Sequence, residues 1–401
     1  MNETDSRPLS AMAEAADEQK HISPGMTLIM ALACGMSVAN IYYNQPILGI
    51  IEQSFPGQGS LTSLVATATQ LGYALGLLML VPLGDRIDRR RLILIQTIAL
   101  GLSLAGMATA QSAWTLLMVS ACVGITASVA QQILPFAAEL ASPARRGSTI
   151  GVVMSGLLCG ILLSRVLSGY VGEHYGWRAM FWLGLALAGL MGVLLASTLP
   201  GCPPKTNASY GALLKSLAVI WREEPLLRRA TCIQACVFGS FSALWTTLAY
   251  HLDSDYQLSA EVAGLFGIVG AAGVVFAPIA GRIADKKGPH FVIGMATIIM
   301  IASWFIMGIW SAMAGMIVGV ILLDFGAQSA QVSNQHVIQA LRSEVRSRLN
   351  ALLMGGMFIG GALGSAGSSL AWQYGKWDAV SVFAAILALL ACAVHTRPRV
   401  V

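Results

Sequence analysis

The chain has 401 residues, of which 56% are hydrophobic and only 11% are charged. Soluble globular proteins carry about 25% charged residues, so this chain cannot cover a water-facing surface and most of it must lie in lipid. The net charge of +5 does not indicate a nucleic-acid-binding protein, because the basic residues form short clusters between apolar segments instead of one patch.

The N-terminal segment, residues 1–25, is polar and rather acidic. A secretory signal would begin with basic residues and end at a small-residue cleavage site, and neither is present. We therefore predict a disordered cytoplasmic tail that precedes the first membrane span.

Apolar segments long enough to cross about 30 Å of hydrocarbon follow the tail. The first six predicted spans are residues 26–50, 62–83, 91–111, 114–138, 147–171 and 177–199. After a polar cytoplasmic linker at residues 200–229, six more are predicted at residues 231–251, 262–281, 290–310, 313–338, 348–370 and 378–395. The sequence thus predicts an all-α membrane protein with two six-helix bundles, residues 26–199 and 230–396, and a short cytoplasmic tail, residues 397–401.

The distribution of lysine and arginine predicts how the spans are oriented, because cytoplasmic loops are rich in both. With the N-terminus in the cytoplasm, 21 of the 24 basic residues fall in cytoplasmic segments. Only Arg178 and Lys376 fall in outer turns, and Arg165 lies within a span. Twelve spans then place both termini in the cytoplasm of a multi-pass inner-membrane protein.

The two halves repeat at a spacing of about 200 residues. Matching pairs occur at three loops: Asp85-Arg86 with Asp285-Lys286, Arg146-Gly147 with Arg346-Ser347, and Tyr175-Gly176 with Tyr374-Gly375. One spacing that holds at three separate loops indicates a duplicated six-helix unit. Such duplication builds one large class of transporters, in which the substrate binds near the bilayer midplane between the halves.

The turn after the second span of each half resembles the signature G-x-L-A-D-R-x-G-R-R of the major facilitator superfamily. The second half keeps Gly281, Ile283, Ala284, Asp285, Lys286 and Gly288; the first keeps Asp85, Arg86, Arg89 and Arg90, with Val81 and Asp88 in place of glycines. The resemblance covers the chain from about residue 26. It implies twelve helices in two pseudo-symmetric bundles, and a secondary transporter of small molecules that works as a monomer by alternating access.

In this family the signature implies a cytoplasmic latch. We expect Asp85, Arg86 and Arg89, with Glu139 as a partner, to pair with helix ends and acidic groups of the facing half. Asp285 and Lys286 are the corresponding residues of the second half. Breaking and remaking such pairs would bias inward-open against outward-open states. The alternative is that these charges only anchor the cytoplasmic loops.

A glycine pattern in the fifth span resembles that of the exporter branch of the family, roughly G-x8-G-x3-G-P-x2-G-G. Gly151 and Gly160 keep the first interval and Gly169 follows, whereas Ser164-Arg165 replaces the Gly-Pro pair that marks drug/proton antiporters. The resemblance favours proton-coupled efflux of drugs, sugars or nucleosides. The missing Gly-Pro pair makes a drug the less favoured substrate. Proton-coupled uptake and uniport remain open.

Other function classes are disfavoured. No G-x-x-x-x-G-K-[ST] phosphate loop is present, which argues against a primary pump. No H-E-x-x-H motif or facing catalytic dyad is found, which argues against a membrane-embedded enzyme. We expect no metal site and no cofactor; the expected partners are a small-molecule substrate, protons and the lipid bilayer.

Two charged residues lie deep within predicted spans, where a charge costs at least about 2.5–3.5 kcal/mol. Asp324 falls near the midplane of the tenth span, and Arg165 lies nearer the outer end of the fifth. We expect Asp324 to carry the coupled proton, since apolar surroundings and a nearby arginine act on its ionisation in opposite directions. The alternative is a structural Asp324–Arg165 pair. Arg165 could instead reach outward to the membrane surface, or hold an anionic group of the substrate.

In this fold, spans 1, 4, 7 and 10 line the central cavity. The candidate cavity residues are Asn40, Tyr43 and Asn44 of span 1, Gln131 and Gln132 of span 4, Trp245 and Thr246 of span 7, and Gln328 and Gln331 of span 10. Amides and aromatic rings around an otherwise apolar cavity predict a neutral or zwitterionic organic substrate. For any one of these residues the alternative is a hydrogen bond between helices.

Overall fold

The computed structural model describes residues 22–142, 145–204, 206, 208–275, 282–284, 286–342 and 345–397. Within these ranges all regular secondary structure is helical, as the sequence predicts. Nine helices precede the linker: α1 Pro24–Ala39, α2 Leu48–Gln53, α3 Gly59–Thr62, α4 Val65–Leu83, α5 Arg89–Thr109, α6 Ala113–Ala127, α7 Ala130–Leu140, α8 Arg146–Tyr175 and α9 Trp177–Thr198. The rest are α10 Tyr210–Glu223, α11 Pro225–Tyr256, α12 Ala260–Val275, α13 Pro289–Ile309, α14 Met313–Gln339 and α15 Arg346–Thr396.

The helices of the described chain account for all twelve predicted spans. Nine helical segments are long and apolar enough to cross a membrane, with α3–α4 and α6–α7 each counted as one segment. Non-helical backbone at Gly375 and Lys376 divides α15 into two parts, so this helix supplies the last two spans. The shorter apolar helices α1 and α12 supply the first and the eighth.

The first span departs from its prediction. We expected one helix over residues 26–50, but α1 ends at Ala39 and turns follow until α2 begins at Leu48. Pro46 has no backbone N–H and disfavours helical backbone at the residue before it. The Asn40 amide also donates to the Met36 carbonyl at 2.7 Å, in a local bond that competes with helix continuation.

The linker, residues 200–229, contains the helix α10, which the sequence analysis did not predict. Ser209 is the N-cap residue of this helix, and its side chain accepts a hydrogen bond from the Ala212 N–H at 3.2 Å. Leu213, Leu217 and Ile220 are its buried residues, at the spacing of one helical face. The Tyr210 hydroxyl donates to the Met79 carbonyl of α4 in the first half, and Ile220 packs in a cluster with Leu353 of the second half, so α10 contacts both halves.

Glycines permit equivalent close helix crossings in the two halves. In the first half, α1 packs on α8, and a Cβ at Gly35 or Gly160 would meet the backbone of the other helix. In the second half α11 packs on α15 in the same way, through Gly239 and Gly364. These crossings join the first to the fifth and the seventh to the eleventh predicted span, so the two bundles are related by pseudo-symmetry.

The halves meet along two crossings that are also equivalent, α8 with α12 and α4 with α15. We call the end of the bundle that holds the α4–α5 turn, with Arg86, the basic end. The other is called the opposite end. At the opposite end the Ala260 N–H donates to Glu173 at 3.2 Å, and the Ser369 hydroxyl donates to the Ser63 carbonyl at 3.3 Å. The two halves are therefore in contact at the opposite end.

Candidate functional site

A cavity of about 420 Å³ lies between the two halves. Seven helices or their flanking turns contribute to it, and most of its surface is aliphatic, aromatic or methionine. Its polar lining consists of Tyr42, Tyr73, Gln131, Gln328, Gln331 and Gln335. No charged side chain lines it among the described residues. Its size and lining suit a small organic molecule that makes a few hydrogen bonds.

Three of the predicted cavity residues line this cavity. Gln131 of α7 projects from the first half and donates to the Tyr73 hydroxyl at 3.3 Å. Gln328 and Gln331 of α14 lie on the second half. The structure thus brings together amides from the fourth and tenth predicted spans, which are corresponding members of the two repeats.

Five other predicted residues are placed elsewhere, as a correction to the predicted set. Asn40 and Tyr43 line a small cleft between α1, α5 and α9. The Asn44 amide donates to the Thr69 hydroxyl at 3.0 Å, within the first half. The Gln132 amide donates to the Leu80 carbonyl at 2.5 Å, and the Thr246 hydroxyl to Ser365 at 2.9 Å. All five are buried among helices and none lines the cavity.

The error in the first span has a physical cause. Helical spacing would place Asn40, Tyr43 and Asn44 on one face, but residues 40–47 form turns. Tyr42 faces the cavity instead of Tyr43. Two adjacent tyrosines, Tyr42 and Tyr43, mark this segment in the sequence. The assumed helical register selects Tyr43 as the cavity residue, whereas the turns direct Tyr42 to the cavity.

Arg165 and Asp324 are both buried, with 1% and 3% of their surface exposed. The Arg165 guanidinium carbon lies 3.9 Å from the centre of the Trp245 ring and 4.7 Å from that of Tyr42. Its Nε donates to Gln45 at 3.1 Å. Arg165 therefore does not reach the membrane surface: it points into the contact between the halves.

Asp324 faces the same cluster from the second half. Its Oδ1 and the Cζ2 of Trp245 lie 3.0 and 3.1 Å from the position that a Cβ on Gly270 would occupy. Asp324 and Arg165 attract each other, yet no ion pair within 4.0 Å joins them in the described part of the chain. In place of the predicted direct pair, Arg165 stacks on Trp245, and Asp324 and Trp245 both face Gly270.

The cluster of Arg165, Trp245 and Asp324, which we call the charge cluster, adjoins the cavity. Tyr42 and Phe241 line the cavity, and Arg165 contacts both rings. Asp324 precedes the cavity residue Gln328 by one helical turn on α14. The charge cluster therefore lies behind an aromatic layer on the side of the opposite end, where the halves touch.

The predicted latch residues of the first half form a cluster within that half. Arg89 of α5 donates to Asp85 at 3.2 Å and forms an ion pair with Glu139 of α7. Arg86 is exposed. The pairs of Arg89 thus lie within the first half, and pairing of the latch residues with the second half stays a prediction. Lys286 is exposed, and Asp285 lies outside the described residues, as do residues 1–21 of the predicted tail.

No group of three or more His, Cys, Asp or Glu side chains that could hold a metal ion occurs in the part of the chain that the structure describes.

Comparison with known proteins identifies the family. The model of the Major Facilitator Superfamily matches residues 29–231 and again residues 230–400. The chain belongs to the major facilitator superfamily. It is therefore a membrane transporter of small molecules and not an enzyme.

Relatives and solved structures agree with this assignment. The "Uncharacterized transporter YgaY" of Escherichia coli O157:H7 is 38% identical over 92% of this chain and 94% of its own length. A probable transporter of Streptomyces coelicolor is 33% identical over 92% of this chain and 87% of its own length.

Two solved structures share the fold. The human organic anion transporter MFSD10 superposes with a TM-score of 0.71 at 17% identity, over 94% of this chain and all of that one. A D-xylose–proton symporter superposes with a TM-score of 0.71 at 16% identity, over 91% and 96% of the two chains.

Proposed function

We propose that this transporter is a proton-coupled exporter of small, uncharged, largely apolar organic molecules in the bacterial inner membrane. The observation that carries the proposal is a carboxylate, Asp324, buried next to an apolar cavity at the contact between the two halves. Proton uptake by Asp324 would drive release of the substrate.

The location of Asp324 suits a residue that couples protons to movement. Arg165 comes from the first half, and Asp324 and Trp245 come from the second. Their attraction strengthens the contact between halves when Asp324 is ionised and weakens it when Asp324 is neutral. A proton on Asp324 would thereby change the relative stability of the two access states.

The cavity lining supports an uncharged substrate. A permanent cation or anion buried there would have no side chain of opposite charge on the cavity wall. Gln131, Gln328, Gln331 and Gln335 offer donors and acceptors instead. Export is favoured over uptake by the glycine pattern of Gly151, Gly160 and Gly169, which resembles that of exporters.

The orientation of the protein is part of the proposal. The positive-inside rule assigns the basic end to the cytoplasm, and with it both termini. The contacts at the opposite end then close the outer side, so that this arrangement faces inward. The two halves, residues 26–199 and 230–396, would rock about the charge cluster.

Cysteine labelling tests this orientation. Gln58 is exposed between α2 and α3 at the opposite end, and Arg222 is exposed on α10. We expect a membrane-impermeant maleimide to label Gln58→Cys in intact cells, and Arg222→Cys only after the cells are opened. The parent chain, with its seven native cysteines, gives the background. The reverse pattern would refute the orientation.

Proton movement in vesicles tests the transport reaction. Inside-out vesicles that hold the transporter and an acidic interior are exposed to drugs, sugars, nucleosides, amino acids and apolar alcohols. An exporter should dissipate the proton gradient when its substrate is added, whereas vesicles without the transporter should not respond. If substrates enter right-side-out vesicles together with protons instead, the protein is an uptake symporter. Transport without proton movement would indicate a uniporter.

A further inference from the structure

Three buried polar atoms of the charge cluster have no hydrogen-bond partner among the described residues. They are Nη2 of Arg165, Nε1 of Trp245 and Oδ2 of Asp324. All three side chains are at least nine-tenths buried. Almost all buried polar groups in native proteins are paired, so these three atoms are available to bind a group that enters the cluster.

The three side chains lie in one cluster. The guanidinium of Arg165 stacks on the Trp245 ring, and Oδ1 of Asp324 and Cζ2 of Trp245 both face Gly270 of α12. Room beside these two atoms depends on Gly270, since a Cβ there would stand 3.0 Å from Asp324 and 3.1 Å from Trp245. The space adjoins the cavity, whose residues Tyr42 and Phe241 also contact Arg165.

We propose that the charge cluster is a binding subsite for the hydroxyl group of the substrate, so that the transported molecules are apolar alcohols or phenols. Two of the unpaired atoms are donors, and ionised Asp324 is an acceptor. One hydroxyl oxygen accepts from two donors and donates its own hydrogen once, which matches this set. An ether or a carboxylate can only accept, and an ammonium group can only donate. The apolar remainder of the substrate then lies in the cavity.

The same geometry supplies the coupling. When Asp324 is protonated at Oδ2, this atom becomes a donor, and the substrate hydroxyl exchanges a charged acceptor for a weaker, neutral one. Protonation of Asp324 and binding of the hydroxyl therefore oppose each other. Mutual exclusion of proton and substrate is the thermodynamic requirement for exchange of one against the other. The inference deepens the proposed function and rests on it.

Matched alcohols and methyl ethers test the subsite directly. The purified full chain in detergent is titrated with biphenylol and methoxybiphenyl, menthol and menthyl methyl ether, and naphthol and methoxynaphthalene. We expect at least one alcohol to bind about tenfold or more tightly than its ether, because the ether leaves a buried acceptor unpaired. Binding should also release protons into a weakly buffered solution, since the hydroxyl favours ionised Asp324.

Two variants connect this preference to the charge cluster. Trp245→Phe removes one donor and keeps an aromatic ring under Arg165, and Gly270→Ala fills the space beside Asp324. Both should remove the preference for alcohol over ether. Trp372→Phe, at the opposite end, should retain it. Gel filtration identifies any variant that fails to fold, and Gly270→Ala serves if Trp245→Phe is lost.

The outcomes separate the subsite from the transport reaction. If alcohols and ethers bind alike, if no alcohol binds, or if both folded variants keep the preference, the subsite proposal is wrong and water alone satisfies these atoms. Proton-coupled export measured in vesicles could still hold in that case. If alcohols bind with proton release but vesicles show no proton-coupled transport, the proposed function fails and the subsite stands.

Discussion

Asp324→Asn should abolish gradient-driven transport while leaving exchange of substrate at equal pH on both sides. Asparagine keeps the size of the side chain and its acceptor oxygen but cannot gain or lose a proton. Substrate therefore binds more weakly than to the ionised carboxylate, and at saturating concentration it still crosses, but no proton is carried back. We expect the gradient-driven rate to fall at least about 100-fold and the exchange rate to stay within about threefold of wild type.

The measurement pairs two assays in the same vesicles, accumulation driven by a pH gradient and exchange of labelled for unlabelled substrate without one. Asp253→Asn is the matched control, because Asp253 is an exposed acid of the same half at the opposite end. It should leave both rates unchanged. Gradient-driven transport that survives in Asp324→Asn would remove the proton role and leave Asp324 as a structural partner of Arg165.

Gly264→Trp should shift the protein towards the state that is open at the opposite end. Gly264 packs against the backbone at Arg165 and Gly169, where α12 crosses α8 between the two halves. A large side chain there cannot fit while the halves touch. Overpacking costs about 1–3 kcal/mol, which corresponds to a roughly 5- to 150-fold change in the ratio of the two states.

Accessibility of a second crossing measures this shift. Ser369 is 5% exposed and donates to Ser63 where α15 meets α4, at the opposite end but on the other crossing between the halves. Ser369→Cys should react faster with an impermeant maleimide when combined with Gly264→Trp. Gly189→Trp is the control, since nothing lies within 4 Å of a Cβ at Gly189 on α9. Equal labelling in both backgrounds would contradict rocking of the halves as rigid units.

The sequence predicted many residues of the site from the chemical type of the side chain and its approximate depth in the membrane. Gln131, Gln328 and Gln331 were found because amides are rare in apolar spans, and Asp324 and Arg165 because charges there are rarer still. Tyr73 and Phe358 were missed. They lie on the second and eleventh predicted spans. The centres of their rings are 4.4 Å apart, where the two halves are in contact. An aromatic residue in an apolar span has no sequence signal that separates such a contact from ordinary packing.

The sequence by itself determined the solvent, the number of spans and the duplicated plan of this protein. These follow from local quantities: the length of each apolar segment, the distribution of basic residues and one spacing that recurs at three loops. Because each span must satisfy its backbone hydrogen bonds internally, continuous apolar segments of about 20 residues predict helices.

Only the tertiary structure decided which polar side chains face each other. Asn44, Gln132 and Thr246 bond to neighbouring helices instead of facing the cavity, and Arg89 pairs within its own half. Arg165 and Asp324 are 159 positions apart in the sequence, and they lie in one cluster with Trp245 because glycines of α12 let that helix approach all three residues closely. Helix rotation and crossing are set by packing between segments distant in sequence, and no local pattern encodes them.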